Sequence, residues 1–276
     1  MNAQRLLING SPDAIVSPLD RGLTYGDGLF ESIRFVGARA PLWLRHMQRL
    51  DDGCRRLQLP PPGTAELWRE ACEVTRGQPQ SVVRITLTRG VGARSYAPPT
   101  IPRLTRIVGA FPATVRNEDD YAHGVHMRTC SLRLAKQPLL AGIKHLNRLE
   151  QVLARAEWTD PAIAEGLLCD ADGHVISATM ANLFAVIDGV LCTPVLDQCG
   201  IAGVARAEVL AVYPQANVRV MPLDALLAAE EIFLTSSVRG ILPVQSLDDR
   251  LYVPGKITRD LQRHWHNLEF SMEQAG

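Results

Sequence analysis

Two Asp-Gly pairs, Asp172-Gly173 and Asp188-Gly189, punctuate a run of short apolar and β-branched segments. Asp-Gly supplies the positive backbone angles of a tight hairpin turn, so this stretch must fold as antiparallel strands. The pattern predicts strands over 166–169, 174–176, 183–187 and 190–192. With 276 residues, 46% of them hydrophobic, the chain has enough apolar surface for one large or two modest domains.

Other segments extend this framework. A strand is predicted over 5–8, closed by Asn9-Gly10 and carried onward through 11–17. Residues 29–35 alternate as a strand, and Gly37 turns the chain into 40–44 to give a hairpin. Leu44, Met47, Leu50, Cys54 and Leu57 recur at helical spacing and mark an amphipathic helix over 43–57, with Arg45, Arg49, Asp52 and Arg56 off its stripe. A helix over 64–76 and strands over 81–88 and 103–111 follow. A composition shift between Phe111 and Asp120 sets the domain boundary, giving 1–112 and 113–276. Beyond it lie a strand over 125–134 and a helix over 147–158, with Leu149, Val152, Leu153 and Ala156 on one stripe. A helix over 204–212, a strand near Val218, a short helix over 223–229, a strand over 231–234 and a last helix over 256–269 complete two α+β domains.

Charge and cysteine usage exclude several function classes. Acids and bases balance at 29 each and neither is concentrated, so no nucleic-acid footprint is present. No apolar run is long enough to span a bilayer and the first residues lack a signal-peptide pattern, so a cytoplasmic protein without a membrane partner is expected. The six cysteines form no CxxC pair, so neither a metal site nor a disulfide framework is expected.

The chain holds three lysines, Lys136, Lys144 and Lys256. A lysine amine, unlike a guanidinium, can be brought toward neutrality and used as nucleophile or base. Lys144, just after Gly142, is a leading candidate for such chemistry, and by position alone it equally suits a solvated helix start. Three separated features could hold an anion: the helix opening Gly203-Val204-Ala205-Arg206, the hydroxyl run Thr235-Ser236-Ser237, and Arg49. Each taken alone is as readily structural.

Together with these, YGDGLFESIRF, HMQRL, GIKHLNRLEQV, DGHVIS...ANLF and LDQCGIAGVAR resemble, in order and over nearly the whole chain, the fold-type IV pyridoxal-phosphate enzymes. That family includes D-amino-acid and branched-chain aminotransferases. RGVGARSY and AGIKHLNRLEQV are most similar to its branch that splits 4-amino-4-deoxychorismate into 4-aminobenzoate and pyruvate for folate synthesis. The resemblance implies a two-domain, D-amino-acid-aminotransferase-like α+β fold, a homodimer and pyridoxal 5'-phosphate as cofactor. It makes Lys144, in the second domain, the Schiff-base lysine. It assigns the cofactor phosphate to Arg49, the backbone N–H groups of Val204 and Ala205, and Ser237.

One position departs from the family. Ser177 stands where the family places a glutamate that keeps the pyridine nitrogen protonated. A serine hydroxyl can donate to an unprotonated nitrogen, which weakens the ring as an electron sink and disfavours transamination more than elimination. Thr179 or a water could instead fill that role, or the chain could bind the cofactor without catalysis. Arg94 and Arg239 are candidate partners for the substrate carboxylates, with Tyr96 a candidate ring or hydroxyl contact. An aminotransferase is the competing reading.

Overall fold

The computed structural model describes residues 5–113 and 117–268. Its backbone divides into two compact units: Met1–Thr114 with Ile143–Asn147, and Val115–Gly142 with Arg148–Gly276. The boundary falls near the composition shift. Lys144, however, groups with the first unit, because the segment that carries it pairs with a first-unit strand.

In the first unit, β1 (Leu6–Ile8), β2 (Gly28–Val36), β3 (Gln80–Thr88) and β4 (Thr105–Pro112) form an antiparallel sheet in the order β1-β4-β3-β2. A five-residue helix, α1 (Arg21–Tyr25), precedes β2, and α2 (Trp43–Arg56) and α3 (Thr64–Thr75) contribute to the core. Residues 11–17 do not extend β1, and 40–44 do not return as a strand. Ser11 closes a tight turn back onto Ile8, and Arg39 onto Val36, while all nine residues of β2 pair with β3. Trp43 opens α2 instead, and Pro41, which has no N–H to donate, does not suit a ladder strand. The buried stripe of α2 is also rotated from its expected position: Trp43, His46, Met47, Leu50 and Cys54 are inside, and Leu44 is 75% exposed.

In the second unit the described residues form a mixed sheet in the order β10-β9-β8-β11-β12-β5-β6-β7, with β13 on β12. The predicted hairpins appear as β6 (Ile163–Asp170) with β7 (Val175–Ala178), and β8 (Asn182–Ile187) with β9 (Val190–Pro194). The other strands are β5 (Val125–Leu134), β10 (Asn217–Arg219), β11 (Glu231–Ser236), β12 (Gly240–Leu247) and β13 (Arg250–Leu251). Helices α4 (Glu118–Ala122), α5 (Leu149–Arg155), α6 (Val204–Val212), α7 (Leu223–Leu227) and α8 (Lys256–Asn267) complete the unit. The predicted end of the last helix, at Glu269, lies outside the described residues. The apolar stripe of α5 faces outward, with Leu149, Val152 and Leu153 exposed by 75, 60 and 61%, while Ala154 and Trp158 are buried.

Candidate active site

Two of the three lysines are tied to carboxylates at the surface. Lys256 pairs with Asp260 at 2.7 Å, and Lys136 bonds Asp172 and lies 3.4 Å from Asp170. Lys136 thereby pairs with both acids of the Asp170, Asp172 and His174 group, whose polar atoms lie within 4.8 Å of one another. Lys144 sits differently. Its Nζ is 4.3 Å from the centroid of the Phe30 ring. Its backbone is stitched to β2, with the Phe30 N–H donating to Lys144 O and the Leu146 N–H to Gly28 O, both at 3.0 Å. Strand pairing and an aromatic face therefore place this amine.

The next residue of β2, Glu31, is 1% exposed and points to the opposite face of the strand. It accepts from Arg49 Nε at 2.8 Å, Arg49 Nη2 at 2.5 Å and His46 Nδ1 at 2.6 Å. Burial alone would raise its pKa, but the charges of Arg49 and His46 and their hydrogen bonds prevail and bring it to about 2. Burial pushes His46 down, and Arg49 and Lys144 add to that effect against the upward pull of Glu31. At neutral pH the lowered pKa leaves the ring uncharged, with its proton on Nδ1 because the carboxylate can only accept; the ring charge acts on Glu31 only at the low pH where both are protonating. Nε2 is buried and has no hydrogen-bond partner among the described residues. The bidentate pairing fixes the plane of the Arg49 guanidinium, whose side chain is 14% exposed.

A cation that the sequence did not single out also belongs here. The exposed Arg84 of β3 places its Cζ 4.1 Å from the centroid of the same Phe30 ring. Arg84 Cζ and Lys144 Nζ are therefore no farther apart than the two distances together, about 8.4 Å. The alternation of β3 put Arg84 on the face away from the core, but only the pairing with β2 brings it to Phe30.

In the second unit α6 opens at Val204, where the sequence predicts a helix start. Val204 and Ala205 open this helix at 3 and 2% exposure, and no side chain caps it at Gly203. A buried helix start without a cap leaves backbone N–H groups that call for an acceptor. A Cβ on Gly203 would lie 2.0 Å from Asn182 Oδ1, so a glycine is needed for this approach. Asn182 is held by Nδ2 donating to Ile201 O at 2.8 Å, and it pairs across the sheet with Thr235. The Thr235 hydroxyl is buried without a partner among the described residues. Ser236 and the half-buried Ser237 follow, and Ser236 Oγ accepts from the N–H groups of Val238 and Arg239. Uncapped amides and an orphaned hydroxyl fit a phosphate-bearing cofactor.

Ser177, near the end of β7, is 9% exposed. Thr179, two residues on, donates its hydroxyl to Glu165, a fully buried carboxylate that also binds Arg239 Nη2 at 2.5 Å. Arg239 is thus committed on one side, while its buried Nη1 has no partner among the described residues. In the first unit, Arg94 and Tyr96 lie on one exposed loop, with Tyr96 86% exposed.

Comparison with known proteins gives the family of the chain. The family model for amino-transferase class IV matches residues 28–247. The chain is 36% identical over 265 residues to an aminodeoxychorismate lyase of Vibrio harveyi, covering 92% of this chain and 97% of the relative. It is 30% identical over 279 residues to a putative branched-chain-amino-acid aminotransferase of Methanocaldococcus jannaschii, covering 96% of both. The crystal structure of 4-amino-4-deoxychorismate lyase from Pseudomonas aeruginosa superimposes with a TM-score of 0.90 at 42% identity, covering 95% of this chain and 98% of that one.

Proposed function

We propose that this chain, which belongs to the amino-transferase class IV family, is a pyridoxal-phosphate-dependent lyase that converts 4-amino-4-deoxychorismate into 4-aminobenzoate and pyruvate. The observation that carries the reading is the 42% identity, over 95% of the chain, to the Pseudomonas lyase of the same fold. The putative aminotransferase reaches 30%.

Bound through its aldehyde, the cofactor supplies an electron-withdrawing ring conjugated to the reacting amine. Lys144 Nζ is the group that would hold the cofactor through that aldehyde and would take the proton from the amine-bearing carbon of the substrate. Arg49, held flat by Glu31, the N–H groups of Val204 and Ala205, and Ser237 would bind the phosphate. Ser177 would offer the ring nitrogen a hydroxyl in place of a carboxylate. The lyase reaction expels enolpyruvate from the neighbouring carbon, and the substrate ring becomes aromatic, so a weaker electron sink suffices. Arg84 joins Arg94, Arg239 and Tyr96 as a group for the substrate, and its place beside Phe30 suits a carboxylate near the reacting amine.

The enzyme acts as a homodimer in the cytoplasm. The outward Leu149, Val152 and Leu153 of α5, with Leu139 at 80% exposure, support a second copy as partner. The six free cysteines suit a reducing compartment. Among the described residues no helix is long and apolar enough to cross a membrane.

The test is a single-donor half-reaction with the loaded enzyme and D-alanine, L-alanine or branched-chain amino acids. Slow or absent conversion of the cofactor to its amine form, beside rapid pyruvate release from 4-amino-4-deoxychorismate, supports the lyase. Rapid conversion without pyruvate release would establish the aminotransferase instead.

A further inference from the structure

The loop over 90–97, which carries Arg94 and Tyr96, is built around one buried arginine. Arg21 opens α1 and is 4% exposed. Its backbone N–H donates to Gly90 O at 2.9 Å, and Asp20 bridges to Val91. Its stem lies against Gly92, where a Cβ would come within 2.8 Å of Arg21 Cδ. Its Nη1 donates to Ser95 O at 2.7 Å and Ala97 O at 3.4 Å, and its Nη2 to Tyr96 O at 3.0 Å. Its Nε donates to Asp27 Oδ2 at 2.9 Å. One guanidinium thus holds three consecutive carbonyls and a carboxylate, which requires the planar fork of arginine; an ammonium cannot span the set.

Asp27 links this loop to α2. The same Oδ2 accepts from Arg89 Nε at 2.7 Å, and Arg89 donates to Leu57 O at 2.8 Å and Gln58 O at 3.1 Å, just beyond the end of that helix. Burial would raise the Asp27 pKa, but the hydrogen bonds from Arg89 and Arg21 prevail and lower it, which keeps the shared carboxylate charged. The carbonyls of 95–97 turn inward to Arg21 while the side chains of Arg94 and Tyr96 are exposed. Tyr25 adds a ring contact to Tyr96 at 5.5 Å between centroids, and Arg21 Cζ lies 4.9 Å from the Tyr25 centroid. A glycine-containing loop with an exposed arginine would otherwise sample many conformations, and ordering it on binding would weaken affinity.

We propose that Arg21 is a positioning residue for substrate recognition, fixing the backbone of loop 90–97 so that the outward side chains of Arg94 and Tyr96 are held ready for the anionic substrate. This rests on the reading above that the loop contacts the substrate. The variants are Arg21→Lys, which keeps the charge beside Asp27, and Arg21→Ala, with Arg94→Gln and Tyr96→Phe as comparators, all in the full cofactor-loaded chain. Trypsin cleavage after Arg94, resolved by peptide mass, reads the loop without needing catalysis. In Arg21→Lys, cleavage there should accelerate about tenfold, and KM for 4-amino-4-deoxychorismate should rise about tenfold, as expected if the ordered loop falls from most to a tenth of the population. The fall in kcat should be smaller than the rise in KM, and the cofactor dissociation constant should stay within about twofold.

Unchanged cleavage in both Arg21 variants would overturn the proposal, and so would faster cleavage with an unchanged KM. If Arg21→Lys raises KM while neither Arg94→Gln nor Tyr96→Phe does, the proposal is likewise overturned, because Arg21 then acts other than by presenting those side chains, and the lyase reading stands as long as pyruvate is still released.

Discussion

Glu31→Gln removes the charge that holds Arg49 and His46 while nearly preserving shape. In the folded protein the carboxyl pKa drops from 4.5 to about 2. Each unit is worth about 1.4 kcal/mol, so the charged form is favoured by about 3 kcal/mol relative to the unfolded chain. The depressed value means that this stability is fully present above pH 4.5 and is lost as pH falls toward 2. Glutamine would have to turn its amide N–H groups toward Arg49 or His46, both donors at these contacts. The expected loss at pH 7 is therefore about 3 kcal/mol, the scale for breaking a buried pair from one side. Urea unfolding of both proteins measures it, followed by tryptophan fluorescence, to which Trp43 and Trp68 contribute from this core. Between pH 7 and pH 3 the gap should narrow by about 2 kcal/mol, because the wild-type unfolded chain has then taken up the proton. A loss at pH 7 below about 1 kcal/mol, or a gap that stays constant down to pH 3, would refute the assignment of Glu31 as the charged anchor of Arg49.

Three further variants address the cofactor site. Lys144→Ala should abolish the visible absorbance of lysine-attached cofactor while circular dichroism remains that of the wild type; persistence of that band would remove Lys144 from its role. Arg49→Gln should weaken cofactor retention by about 1.5–3 kcal/mol, read as a raised dissociation constant after dialysis and titration. An unchanged constant would make Arg49 a partner of Glu31 alone. Ser177→Glu should strengthen the electron sink and speed conversion of the cofactor to its amine form with D- or L-alanine more than it alters pyruvate release. Equal conversion rates in the two folded, loaded proteins would shift attention to Thr179, which already donates to the buried Glu165.

Local chemistry made some of these elements legible and hid others. The turns at Asp172-Gly173 and Asp188-Gly189 specify their hairpins within a few residues, and α6 begins at Val204 as its sequence predicts. The return of 40–44 failed because Trp43 opens α2 and Pro41 has no N–H to give a ladder, while the partner that β2 does take, β3, lies more than forty positions away. The stripe of α5 was read correctly as apolar, but periodicity does not say whether such a face meets the chain's own core or another surface. Arg84 was invisible because its relation to Lys144 arises from a cross-strand neighbour and a separate segment meeting at one ring. Arg21 carried a faint signal, an arginine beside glycines and aspartates ahead of a strand, yet its carbonyl partners lie about seventy-five residues on. Arg239 was offered as a carboxylate ligand for substrate, and Glu165 already occupies one edge of it.

The most direct test of the lyase reading is product stoichiometry from 4-amino-4-deoxychorismate with pyridoxal phosphate and no 2-oxo acid present. Pyruvate is followed by lactate dehydrogenase and 4-aminobenzoate by chromatography. The account predicts equal amounts of both over many turnovers, and neither from Lys144→Ala. Products that stop after one equivalent per site, or that appear only when a 2-oxo acid is added, would contradict it.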